Sequence, residues 1–305
     1  MSHPTQPRRN HVGAWFAIAI GIAVALFSTH RSHAATPWPD AANERFSVTV
    51  TGQGPDVILI PGLASSATVW DATVAQLKDH YRLHVLNLAG FAGEPAGANA
   101  SGDVLAPSVD ALDAYIKANQ LQKPAVVGHS LGGLMALMLA KAHPEDTGKL
   151  VIADALPYVG LIFAPNATVA ALQPQAAAMR DGMITAGDDA FKAQEAQSAA
   201  FLVTGADDQA RVLGWSLASD RRVLAEAFYE DMTTDLRPDV ASIQTPATLI
   251  YPVAQGQDAA MTTQVYSNAY AGMPHFTMTR IDNSRHFEML DQPEAFEKAL
   301  EAALH

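Results

Sequence analysis

The chain has 305 residues, no cysteine and a formal net charge of −12. Disulfides, thiolate catalysis and cysteine metal sites are thereby excluded, and an acidic surface with no basic stripe argues against a nucleic-acid partner. Hydrophobic residues make up 49% of the chain, enough for a substantial core in one large α/β domain or two small ones.

Two arginines, Arg8 and Arg9, precede an uncharged apolar run from Val12 to Phe27, and small residues at Ser32, Ala34 and Ala35 follow. Basic, apolar and small in that order is the pattern of a secretory signal peptide, here residues 1–34 with cleavage after Ala34. The competing reading is a retained N-terminal anchor, for which the run is short against the roughly 20 residues a bilayer needs. Removing the leader takes the formal charge from −12 to about −15 and leaves no stable membrane span. The expected location is periplasmic or secreted, which suits a chain without thiols.

Short runs rich in β-branched residues then alternate with helical patterns, which predicts a mostly parallel central sheet flanked by helices. "RFSVTVTG" reads as an opening strand pair or hairpin half, and "DVILIPG" as a buried strand ending at Pro61-Gly62. Helical spacing in "SATVWDATVAQLKDH" leads to the strand "YRLHVLNLAG". The helix "SVDALDAYIKANQ" leads to the strand "KPAVVGHS", and "LGGLMALMLAKAHP" is a helix stopped before Pro144. "GKLVIADA", "PATLIYP" and "HFTMTRID" are further strands, and "PEAFEKALEAALH" is a closing helix with Pro293 in its first turn. The alternation fails between Leu156 and Val240, where alanine-rich, helix-favouring sequence dominates. Residues 156–240 are therefore expected to form a helical cap over a core made of residues 35–155 and 241–305.

Chemistry concentrates at "VVGHSLGG", Val126 to Gly133. A serine hydroxyl is a poor nucleophile at neutral pH and needs a base, an orienting acid and donors for the oxyanion. Glycines two residues either side of Ser130 permit a tight strand-to-helix turn that holds the serine in a strained conformation. The neighbouring His129 would point away from Ser130 and reads as a packing residue.

With "LIPGLASSATVW" after one strand, "VVGHSLGG" after another and "DNSRHFEMLDQPEAF" near the end, the chain resembles the α/β-hydrolase superfamily over nearly all of its mature length. The resemblance implies an α/β-hydrolase fold, Ser130 as nucleophile and His286 as general base. It also implies an oxyanion hole made by the backbone N–H groups of Leu63 and Leu131. His286 follows the final strand by a short polar turn, which suits that role, and it preserves the order serine, acid, histidine. For the acid, most of the family uses the loop after the strand "ATLIY", where the first carboxylate is Asp258. The rival is Asp154, at the end of "KLVIADA", the position used by a minority branch. Pro61 and Asn87 stand where the family often has histidine and aspartate, and both read as tuning near the pocket mouth. A serine at 130, in place of aspartate, disfavours dehalogenase and epoxide-hydrolase chemistry.

The expected activity is that of a carboxylesterase-type serine hydrolase acting on a small-molecule acyl substrate. Leu161, Ile162, Phe163, Met179, Met183, Phe201, Trp215, Phe228 and Met232 in the insertion would make its pocket apolar. Met135 and Met138, in the helix after Ser130, read as packing. No cofactor is implied, because no glycine loop ends in Gly-Lys-Ser/Thr, and no metal, because no His/Asp/Glu cluster shows ligand spacing. The alternative from another class is a ligand-binding or signalling protein on the same fold, with slow turnover or none.

Overall fold

The computed structural model describes residues 44–164 and 166–305. The signal-peptide reading of residues 1–34 lies outside them.

The chain enters through β1 (Phe46–Gly52) and β2 (Asp56–Ile60), then α1 (Asp71–Leu77) and β3 (Arg82–Leu88). Next come α2 (Leu105–Ala118), β4 (Ala125–His129), α3 (Leu131–Ala142) and β5 (Lys149–Ala153). Four helices follow without a strand: α4 (Val169–Thr185), α5 (Asp188–Leu202), α6 (Ala206–Ala218) and α7 (Arg221–Thr233). The chain then returns to the sheet through β6 (Ala247–Val253), α8 (Ala259–Ala269), β7 (Phe276–Asp282), α9 (Glu288–Asp291) and α10 (Pro293–Leu304).

The seven strands form one sheet in the order β1-β3-β2-β4-β5-β6-β7. All neighbours are parallel except β1, which lies antiparallel to β3 with Phe46 opposite Leu88. The opening segment is therefore an edge strand paired with β3, and not half of a hairpin with β2. The three residues between β1 and β2 carry the chain past β3, whose register with both strands is set by the buried alternation.

That alternation divides the core. Ile58, Ile60, Val126, Ile152 and Leu249 point to one face, packed under α2, α3 and α8. Val57, Leu59, Val127, Val151 and Ile250 point to the other, packed under α10. Side chains on a strand alternate with period two, so apolar residues at consecutive positions are what a sheet covered on both sides requires. The same rule explains why "DVILI" and "KLVIA" carry no polar residue beyond their first.

Strand order reverses at β2, which has β3 on one side and β4 on the other. Connections leave the carboxyl ends of β2 and β4 in opposite directions and open a crevice between them, the usual ligand position in an open parallel sheet. The inserted helices are tied to the core through α7. Asp220 caps α7 by accepting from the N–H groups of Arg222 and Val223, and its own N–H donates to the Gly90 carbonyl at 2.7 Å. Near the other end of α7, the Glu230 carboxylate accepts from the Val104 and Leu105 N–H groups at 2.6 and 2.8 Å. Among the described residues no helix is long and apolar enough to cross a membrane.

Candidate active site

The turn between β4 and α3 explains its own glycines. Ser130 has φ 52° and ψ −121°, a left-handed conformation that costs a non-glycine residue roughly 1–3 kcal/mol. A Cβ on Gly128 would stand 2.1 Å from the Gly132 carbonyl oxygen, and one on Gly132 would stand 2.4 Å from that of Ile60. A Cβ on Gly62 would meet the Ser130 Cβ at 3.1 Å, so the segment after β2 runs directly against the serine. Backbone bonds lock the turn: the Ser130 N–H donates to Ala153 at 2.9 Å, and its carbonyl accepts from Gly133 and Leu134 at 2.8 and 3.1 Å.

Leu131 begins α3, where the first N–H groups have no partner within the helix and the dipole is positive. Neither its N–H nor that of Leu63 has an acceptor among the described residues. Four residues past Leu63, the Ala67 N–H donates to Asn87 Oδ1 at 3.0 Å. Asn87 thus braces the loop that follows Leu63, and it is not among the residues lining the cavity.

His286 joins the site from the far end of the chain. Its Nδ1–H donates to Asp154 Oδ2 at 2.6 Å, which leaves Nε2 for chemistry. Asp154 has φ 40° at the carboxyl end of β5, and its other oxygen accepts from the Tyr266 hydroxyl. Asp258 is not in this constellation. It caps α8, accepting from the Ala260 and Met261 N–H groups at 2.9 and 3.1 Å, so the acid beside His286 is Asp154. The physical reason is local: "QDAA" is a helix start, and a carboxylate there satisfies orphan amides of its own helix. No hydrogen bond joins Ser130 to His286 among the described residues; such bonds are commonly loose without substrate and tighten on binding.

His129 does point away from Ser130, but it does more than fill space. Its Nε2–H donates to the His286 carbonyl at 2.8 Å, and its ring packs 4.7 Å from those of His286 and Phe287. Burial, with His286 close by, pulls its pKa down to about 3, so the ring is neutral. The unfolded chain takes up a proton near pH 6.5 that the folded chain refuses until about 3. Stability is thus complete above pH 6.5 and falls below it, at about 1.4 kcal/mol per pH unit from this ring. Urea unfolding between pH 7 and 4 is expected to show that slope, and His129→Gln to flatten it by about one proton.

Three participants carry no local signal in the sequence. Tyr266 is one, brought to Asp154 by α8. Glu288 is another: it is fully buried, with both carboxyl oxygens unpartnered among the described residues. Burial and the adjacent Asp154 push its pKa well up, which favours its neutral form. The third is Asp231 of α7.

Ser130, Asp154, His286, Leu63 and Asp231 line one cavity of about 810 Å³. Of the apolar residues expected there, Leu161, Ile162, Met179, Met183, Phe201, Trp215 and Phe228 line it. Met232 is buried elsewhere and Phe163 stays outside the lining. Met135 is fully buried in the core and Met138 packs against it. Ala64, Ser130 and Asp154, each non-glycine with positive φ, all border this space, so strain collects where the polar groups converge.

Folding also assembles two acidic groups that spacing along the chain does not reveal. Asp113, His143 and Asp146 come together around Lys117, whose Nζ lies 2.8 Å from Asp113 and 3.3 Å from Asp146. Asp103, Glu226 and Glu230 form the second, where Glu230 is committed to the start of α2. Both stand away from the cavity.

This fold and turn define a hydrolase scaffold, and residues 57–299 match the Alpha/beta hydrolase family. The chain belongs to that family. It is 28% identical over 267 residues to a pimeloyl-[acyl-carrier protein] methyl ester esterase of Nitrosomonas europaea, covering 84% of this chain and 98% of that one. To the protein of the same name from Vibrio cholerae it is 27% identical, covering 81% and 93%. Among solved structures, a thermophilic esterase from Thermogutta terrifontis superposes with a TM-score of 0.71 at 18% identity, covering 85% of this chain and 92% of that one.

Proposed function

We propose that the protein is a serine hydrolase that cleaves carboxylic esters through an acyl-enzyme on Ser130. The observation that carries this reading is the Asp154–His286 pair at 2.6 Å in the same cavity as a serine on a strained turn. The curated relatives, named as methyl ester esterases, support ester cleavage.

In this reading His286 Nε2 takes the Ser130 proton as Oγ attacks the ester carbonyl. The oxyanion forms against the Leu63 and Leu131 N–H groups, each such donor typically contributing about 2.7–4 kcal/mol to the transition state. His286 then protonates the departing alcohol, and water attacks the acyl-enzyme by the same route to release the acid. Asp154 stabilises the imidazolium, Tyr266 fixes the second carboxylate oxygen, and His129 holds the His286 backbone. Residues 156–240 act as the cap, and the apolar lining suits a small or medium acyl group. A fluorophosphonate probe is expected to label Ser130, mapped by peptide mass, and p-nitrophenyl esters to be turned over. Tight ligand binding with no label and no turnover would support the binding-protein alternative instead.

We also propose export with cleavage after Ala34. The intact mass of the exported protein is expected to begin at Ala35, and a mass retaining residues 1–34 would favour the anchor.

A further inference from the structure

The cavity is apolar over most of its wall, yet its charged side chains are unevenly signed. Asp231 on α7 and Glu195 on α5 join Asp154 in lining it. Glu195 has a partner, accepting from the Ser216 hydroxyl at 2.6 Å. Asp154 is bound to His286 and Tyr266. Arg285, the cation of the wall, donates to the carbonyls of Ala200 and Val203 at the end of α5. Asp231 has no hydrogen-bond or ion-pair partner among the described residues.

A carboxylate that lines a mostly apolar cavity without a partner is poorly stabilised, and such groups are ordinarily paired. Burial pushes the Asp231 pKa up to about 7, with His286 pulling the other way. The residue is half-buried, and its place in the wall is fixed. Its helix is anchored to the core at Gly90 through Asp220 and at Val104 and Leu105 through Glu230, the residue immediately before it. A preorganised, unpaired acceptor in a substrate cavity selects what enters.

Building on the ester-hydrolase reading above, we propose that Asp231 is a specificity-determining residue whose carboxylate receives a protonated amine carried by the substrate. The preferred substrates are then esters bearing an ammonium group near an apolar chain. Esters bearing a free carboxylate are disfavoured, since that charge would face Asp231 and Glu195 across a low-dielectric space.

The test compares methyl esters that differ only at the chain end. With five methylenes these are methyl heptanoate, methyl 6-aminohexanoate and monomethyl pimelate; with three, methyl pentanoate, methyl 4-aminobutanoate and monomethyl glutarate. Methanol release by the wild-type protein is expected to favour the amino ester over the alkyl ester about tenfold in kcat/KM at one or both lengths, with the carboxylate ester slowest. In Asp231→Asn, whose shape is retained, the amino-to-alkyl ratio is expected to fall to about one. No amine preference in the wild type at either length overturns the proposal, as does a preference that survives in Asp231→Asn. Calorimetry with hexylammonium and hexanoate keeps this separate from the hydrolase reading. If no ester is cleaved, the Ser130 mechanism fails, whereas hexylammonium binding lost in Asp231→Asn still supports the assignment. Failure of hexylammonium to bind the wild type overturns it.

Discussion

Ser130→Ala is expected to abolish ester turnover while leaving the fold and the cavity in place. The change removes only the Oγ, and the turn that holds it is secured by backbone bonds to Ala153, Gly133 and Leu134. Loss of a serine nucleophile from a working triad costs on the order of a million-fold in kcat, since base and acid have nothing left to activate. In the proposed mechanism, what survives is transition-state binding by the Leu63 and Leu131 amides. The measurement is p-nitrophenyl ester hydrolysis with unfolding curves for both proteins, and fluorophosphonate labelling should disappear with activity. Retained turnover in a folded Ser130→Ala protein would end the acyl-enzyme reading.

Asp154→Asn carries the second large effect. The carboxylate holds the Nδ1–H tautomer of His286, so that Nε2 faces the cavity as an acceptor. An amide nitrogen in its place donates to Nδ1, puts the ring proton on Nε2 and leaves no base for the serine. The expected loss is about 10⁴-fold in kcat with intact structure. Asp258→Ala, by contrast, should leave the rate near the wild-type value, losing a helix cap worth about 1 kcal/mol. Measuring both variants under the same assay separates the two aspartates; a full rate in Asp154→Asn would place the orienting acid elsewhere.

The two aspartates show where reading along the chain stops. Both follow an apolar strand; the helix start at Asp258 is a local feature, but nothing local says that Asp154 meets His286. Asp258 spends its lone pairs on amides two and three residues away. Asp154 meets its partner 132 positions later. Its φ is 40°, and its N–H donates to the Ile250 carbonyl of the neighbouring β6 at 2.9 Å. His129 divides in the same way: its direction follows from strand alternation, but its bond to the His286 carbonyl requires the last loop to have arrived. Tyr266, Glu288 and Asp231 sit in ordinary helical patterns, and their chemical surroundings exist only once α8, α9 and α7 have packed.

By itself the sequence determined the parallel sheet, the helical character of residues between Leu156 and Val240, and the glycine-framed turn at Ser130. Each of these rests on period, propensity or a steric need met within a few residues. Only the tertiary structure decided which carboxylate faces His286, that Asn87 braces the loop that follows Leu63, and that an unpartnered Asp231 borders the cavity. Those depend on which groups a compact fold brings within about 3 Å and shields from water, and distance along a chain carries no record of that.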